Sequence, residues 1–278
     1  MIFMRFPGGK VKALTFSYDD GVEQDAQLIA LLNAHGMRGT FNLNSGLFAR
    51  EGTVYPAGQA HRRMTRKAAL SLYGGSGHEV AAHAHTHCSL NEVPDEEIIR
   101  EIMLDRLELE KDYGGQIRGL AYPFGRYDER VKRVLKCCGI LYARTVASSH
   151  GFDVPEDFLQ WNPTCHHKDL QLMELADRFL SAKEGFQCKL FYVWGHSYEF
   201  ERDGNWRVME AFMDRLAQQP SVWYAANMDI AQYCLNYRRL MLSADGRSIY
   251  NPTDTIIWFE RDYALSSIQP GQTLQFDE

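Results

Sequence analysis

The sequence contains no long hydrophobic run, no block of like charge, and no C-x-x-C pair among its six cysteines. Each absence excludes something. Without about twenty consecutive apolar residues there is no candidate transmembrane helix. The opening segment, MIFMRFPGGKVKALTF, has only a few apolar residues before Pro7-Gly8-Gly9, too few for a signal-peptide core, so a cytoplasmic location is expected. Cys88, Cys137, Cys138, Cys165, Cys188 and Cys234 lack zinc-ribbon or redox spacing, and the adjacent Cys137 and Cys138 are badly placed to pair. Reduced thiols are expected. The formal charge of -6, with Lys and Arg spread along the chain, argues against nucleic acid or an anionic membrane as a partner.

What is present is ordinary in bulk and specific in detail. The chain has 278 residues, 45% of them apolar and 24% charged, enough to bury a core without a disulfide or structural metal. Short apolar runs at 13–18, 39–44, 79–83, 119–123, 142–146, 190–196 and 222–226 read as strands. Amphipathic stretches at 23–35, 65–73, 95–113, 128–138, 168–182, 206–218 and 229–242 read as helices between or after them. Residues 147–167 read as a loop containing Trp161. Strands alternating with helices predict a parallel sheet with right-handed crossovers, and seven strands favour a closed or nearly closed (β/α) barrel. After residue 242 the pattern becomes short strands at 249–250, 255–259 and 265–268. The expected division is therefore a catalytic barrel at 1–242 and a small β-rich appendage at 243–278.

In such barrels the reactive residues stand at the C-terminal ends of the strands. Those positions hold Asp19-Asp20-Gly21, then His83, His85 and His87, then the Tyr122-Pro123-Phe124-Gly125 turn, and finally Trp194-Gly195-His196. Singly each has a bland reading: an aspartate pair caps a helix, a histidine sits hydrogen-bonded in a core. Together they put metal ligands and proton carriers on one rim. His83 and His87 are four apart, so one helical turn would bring both imidazoles to the same side, with His85 pointing away as orienter or bystander.

The segments LTFSYDDG, AAHAHTHCSL, LAYPFGRYD and FYVWGHS, in that order, resemble polysaccharide deacetylases of carbohydrate esterase family four. The resemblance runs over residues 13 to 227 and implies a distorted seven-stranded (β/α) barrel. It implies that Asp19 is the catalytic base, that Asp20, His83 and His87 hold a divalent ion, and that His196 is the general acid. The backbone N–H of Phe124 would bind the oxyanion, while Tyr122, Pro123 and Trp161 would lie against the substrate. The ion is expected to be Zn²⁺, with Co²⁺, Ni²⁺ or Fe²⁺ also suited to an Asp/His/His set, and the substrate an acetylated carbohydrate. The alternatives are a barrel amidohydrolase acting on a small intracellular amide, and a non-catalytic carbohydrate- or metal-binding protein. The second of these would need neither Asp19 nor His196.

Two positions depart from the family pattern. Ala121 stands where an arginine would steady the catalytic base, which predicts a raised pKa for Asp19 unless Arg118 or Arg126 restores the charge. The carboxylate that would support His196 is sought at Asp153 or Asp157.

Overall fold

A computed structural model describes residues 1–183 and 185–276. The first apolar run forms the strand Lys12–Asp19, buried along its whole length, as befits a parallel strand covered on both faces. Around it the sheet is entirely parallel. Its neighbours on one side are Gly39–Leu43, Glu79–Ala82, Gly119–Ala121 and Tyr142–Arg144, in that order. On the other side lie Lys189–Gly195 and then Cys165–His166. An eighth strand, Val222–Tyr224, pairs with the first half of Lys12–Asp19.

The sheet curls towards closure through residues that were expected to be loop. Trp161 N–H donates to Ala143 O at 3.1 Å and Thr145 N–H to Trp161 O at 3.0 Å, while Thr164 N–H reaches Tyr192 O at 2.8 Å. Residues 161–166 thus lie between Tyr142–Arg144 and Lys189–Gly195, and the sheet, with seven strands in one continuous path and the eighth off it, has the form of a distorted (β/α) barrel, as expected. The short strand Cys165–His166 escaped sequence reading because two residues carry no periodicity.

Helices cover the outside. The longest, Asp95–Tyr113, begins after Pro94, carries Asp95, Glu96 and Glu97 in its first turn, and stops at Gly114. Its buried face is unusual: alongside Ile98, Ile102 and Leu109 it carries Glu101 and Asp105. The expected C-terminal β segment takes the form of two three-stranded antiparallel sheets. One joins Ile2–Arg5 to Ile257–Arg261 and Ala264–Ile268, so it recruits the N-terminus as well. The other joins Met241–Leu242, Ser248–Tyr250 and Thr273–Gln275, so the expected boundary after residue 242 falls at the end of one of its strands. Ile249, Ile257, Phe259 and Ile268 share a core with Phe6, Trp161 and Tyr192 of the barrel. No described helix is long and apolar enough to cross a membrane, and all six cysteines are free.

Candidate active site

Asp19 is the last residue of the central strand, and its carboxylate is buried. Asn42, its neighbour on Gly39–Leu43, donates Nδ2–H to Oδ1 at 2.8 Å. Arg144 Nη2 donates to Oδ2 at 2.5 Å. The same oxygen lies 3.9 Å from both His83 Nε2 and His196 Nε2. Burial alone would raise the Asp19 pKa, but Arg144, followed by His83 and His196, outweighs it and holds the carboxyl below its ordinary value.

This corrects the expectation drawn from Ala121. Arg118 donates to Gly139 O and Arg126 pairs with Glu92, so neither approaches Asp19. The charge comes instead from Arg144, whose Cα is the register partner of Ala121 on the adjacent strand. Arg144 is fully buried, with its guanidinium 4.3 Å from the Trp194 ring centroid.

Asp20 follows in a left-handed conformation, φ 83°. Its carboxylate meets His61 Nε2 at 3.0 Å and Arg63 Nη2 at 2.8 Å. Burial would raise its pKa, but the His61 hydrogen bond and Arg63 drive it far below the usual range.

His83 and His87 do converge, but not on a helix. Ala84 and His87 both have left-handed backbones, with φ of 60° and 57°, so the chain turns sharply after Glu79–Ala82. The imidazole centroids end 4.7 Å apart. The long helix braces this turn: Asp105 accepts the His83 N–H at 2.9 Å, and Glu101 accepts both the N–H and the hydroxyl of Thr86, at 2.7 and 2.9 Å. Asn44 Nδ2 bonds the carbonyls of His83 and Ala84. His85 instead places Nδ1 2.9 Å from Ser45 Oγ. Left-handed non-glycine residues cost of order 1–3 kcal/mol each. Four of the eight in the described residues, Asp20, Ala84, His87 and Phe124, surround this one spot.

Asp20, His83 and His87 each present one ligand atom, all within 4.8 Å of one another. His83 Nδ1 bonds Ala121 O at 2.8 Å, which leaves Nε2 to face the site. Burial lowers the His83 pKa; burial, then the neighbouring His83, pushes His87 down to about 4. Both imidazoles are therefore neutral near pH 7 with lone pairs available, and this carboxylate-and-two-imidazole set fits a divalent ion with open positions.

His196 lies just beyond Lys189–Gly195. Its supporting carboxylate is neither Asp153 nor Asp157. Asp153 forms a backbone β-bridge with Lys189, at the opposite end of that strand from His196, and Asp157 pairs with Lys132 at 2.7 Å. Glu199 takes the place, with Oε2 3.6 Å from His196 Nδ1. Burial would lower the His196 pKa, but Glu199 and then Asp19 raise it above its ordinary value.

The expected substrate residues divide. Phe124 is 61% exposed, with φ 57°, and its ring stands 4.5 Å from that of His87. Pro123 is buried beneath it. Tyr122 is closed off, its hydroxyl donating to Leu159 O and its ring stacked on Tyr127. Trp161 is 1% exposed and packed among Tyr142, Phe158 and Tyr192, so its ring cannot line a pocket open to substrate. The tryptophan beside the site is Trp194, whose ring centroid is 5.9 Å from that of His196.

The polysaccharide deacetylase family model matches residues 7–143, the segment that carries Asp19, Asp20, His83, His87 and Phe124. Among solved structures, a Mycobacterium smegmatis protein assigned as a polysaccharide deacetylase is 15% identical. It aligns over 85% of this chain and 94% of its own, with a TM-score of 0.58. The peptidoglycan deacetylase PdaC from Bacillus subtilis is 18% identical over 84% of this chain and 95% of its own, with a TM-score of 0.49. No curated protein sequence matches the chain. The first of these structures has the same fold, and over residues 7–143, the segment that brings the aspartate pair to the two histidines, the chain matches the polysaccharide deacetylase family.

Proposed function

We propose that the protein removes acetyl groups from a carbohydrate by metal-dependent hydrolysis, with Asp20, His83 and His87 as ligands. The observation that carries this reading is the convergence of these three side chains beside two proton carriers, Asp19 and His196, that face each other at 3.9 Å. A divalent ion, most simply Zn²⁺, would supply Lewis acidity there, lowering the pKa of water from about 16 towards about 7 and polarising the acyl carbonyl.

The protein's own groups supply the rest. Asp19 is held ionised by Arg144 and fixed in orientation by Asn42, and its Oδ2 keeps a lone pair towards His83 and His196. It takes the proton of the attacking water. The Phe124 N–H, presented by a left-handed backbone at the rim, donates to the developing oxyanion, a contribution of roughly 3–4 kcal/mol in comparable sites. His196 carries a proton, favoured by Glu199, and delivers it from Nε2 to the leaving nitrogen or oxygen. Asp20 is kept from the base role because His61 and Arg63 occupy its carboxylate.

Acetate release from a panel of N- and O-acetylated sugars and glycans, using chelated and metal-restored protein, tests the proposal. Release that requires restored metal is expected. Equal release after chelation, or none from any acetylated carbohydrate, would refute it.

A further inference from the structure

A second group of ligating side chains lies on the far face of the His196 ring. His166 ends the strand Cys165–His166, which pairs in parallel with Lys189–Gly195, so His166 is the register partner of Trp194 and sits near His196. Glu199 lies in the first turn of the helix Tyr198–Asp203. His166 Nε2 is 3.1 Å, His167 Nε2 3.4 Å and His196 Nδ1 3.6 Å from one atom, Glu199 Oε2. One ligand atom each from His166, His196 and Glu199 lies within 4.8 Å of the others, the same closeness that the Asp20 set shows.

These contacts do not behave as hydrogen bonds. Glu199 Oε2 and His196 Nδ1 are buried without a hydrogen-bond partner, as are both nitrogens of His167. A buried carboxylate oxygen left unsatisfied among three imidazoles is costly unless something joins them. The spacing indicates what joins them. Ligands about 2.0–2.1 Å from a tetrahedral Zn²⁺ are about 3.3 Å from one another, and the separations of His166 Nε2 and His196 Nδ1 from Glu199 Oε2, 3.1 and 3.6 Å, bracket that value. Among the described residues the lysine and arginine contacts fall on the other carboxylate oxygen: Arg202 Nη2 lies 3.3 Å and Lys168 Nζ 3.9 Å from Oε1. His167 is held rigidly behind the group, stacked between Tyr18 and Phe200. Gly195 leaves it room, since a Cβ there would fall 1.9 Å from His167 Nδ1.

We propose that His166, His196 and Glu199 form a second divalent-cation site, and that filling it switches the enzyme off. His196 faces Asp19 through Nε2 and Glu199 through Nδ1. An ion on Nδ1 occupies the lone pair that must otherwise carry a proton, so the ring cannot become an imidazolium, and its remaining Nε2–H is a far weaker acid towards a leaving group. The ion site rests on geometry alone; its inhibitory effect rests on the reading of His196 as the general acid.

The test titrates metal-stripped full-length protein with Zn²⁺ by calorimetry, counts bound ions after gel filtration, and follows acetate release as Zn²⁺ rises past one equivalent. Wild type should bind about two ions in two classes, and His166→Ala about one. Acetate release by wild type should peak near one equivalent and then fall by about tenfold or more, whereas His166→Ala should hold its plateau. His166→Gln, closer in size, replaces the alanine variant if that one melts early. Equal ion counts in wild type and variant would overturn the site. Two ions in wild type with no fall in rate would overturn the switch, and with it the role of His196, while leaving the ion site standing.

Discussion

Arg144 Nη2 lies 2.5 Å from Asp19 Oδ2, although the two residues are 125 positions apart and their strands stand four places apart in the sheet. The contact is made by an arginine whose register partner is Ala121, the position where the family pattern places one. The cation stands one strand to the side of that position and reaches the Asp19 carboxylate from there.

Removing it should therefore do two things. Arg144→Met leaves Asp19 buried and unpaired, which should destabilise the fold by about 3–5 kcal/mol and lower kcat/KM by about a hundredfold. Adding Ala121→Arg to that variant should recover part of both losses. Chemical denaturation and acetate-release kinetics on the three proteins check this. A double variant no better than Arg144→Met would show that the two positions are not interchangeable.

A second prediction concerns Glu199. Its carboxylate raises the His196 pKa against the opposing effect of burial. Glu199→Gln should therefore move the basic limb of kcat/KM, measured at one equivalent of metal, to lower pH. An unmoved limb would mean that another group sets it.

The barrel's principal strands, its long helix and the aspartate and histidine positions were legible because each is a local signal. The run at 13–18 ends in an acidic pair, and the A-A-H-A-H-T-H string follows an apolar stretch. The supporting residues were not legible, because strand order rather than sequence distance brings them in. Arg144 reads as the end of a three-residue strand, and only the curl of the sheet aims it at Asp19. Glu101 and Asp105 were visible as acids one turn apart on an amphipathic helix, and their burial against the histidine turn could have been suspected from that spacing alone. Glu199 is three residues from His196, but the expected supporter was sought upstream at Asp153 and Asp157.

A third prediction concerns stability. Glu79 accepts hydrogen bonds from Tyr142, Thr40 and Met228, yet burial pushes its pKa up to about 7. The folded state thus binds the proton more tightly than the unfolded chain does. Its contribution is complete below the unfolded carboxyl value of about 4.5 and is lost as pH rises through about 7. Glu79→Gln should lack this component, so its unfolding free energy should fall less than that of wild type between those pH values. Parallel profiles would contradict the assignment.

A fourth prediction separates the two histidines that follow the third apolar run. His87→Ala should lose the ion, while His85→Ala, which removes only a contact to Ser45, should keep it. Elemental analysis of the two purified variants decides; equal metal in both would remove His87 from the ligand set.

The division of labour between adjacent aspartates is the centre of the account, and Asp19→Asn tests it most directly when bound metal and acetate release are measured on the same preparation. The amide keeps the shape of the side chain but cannot accept the water's proton. The account predicts wild-type metal content with acetate release reduced by about a thousandfold. Asp19→Asn protein that released acetate at the wild-type rate, or that lost its metal as Asp20→Asn should, would contradict it.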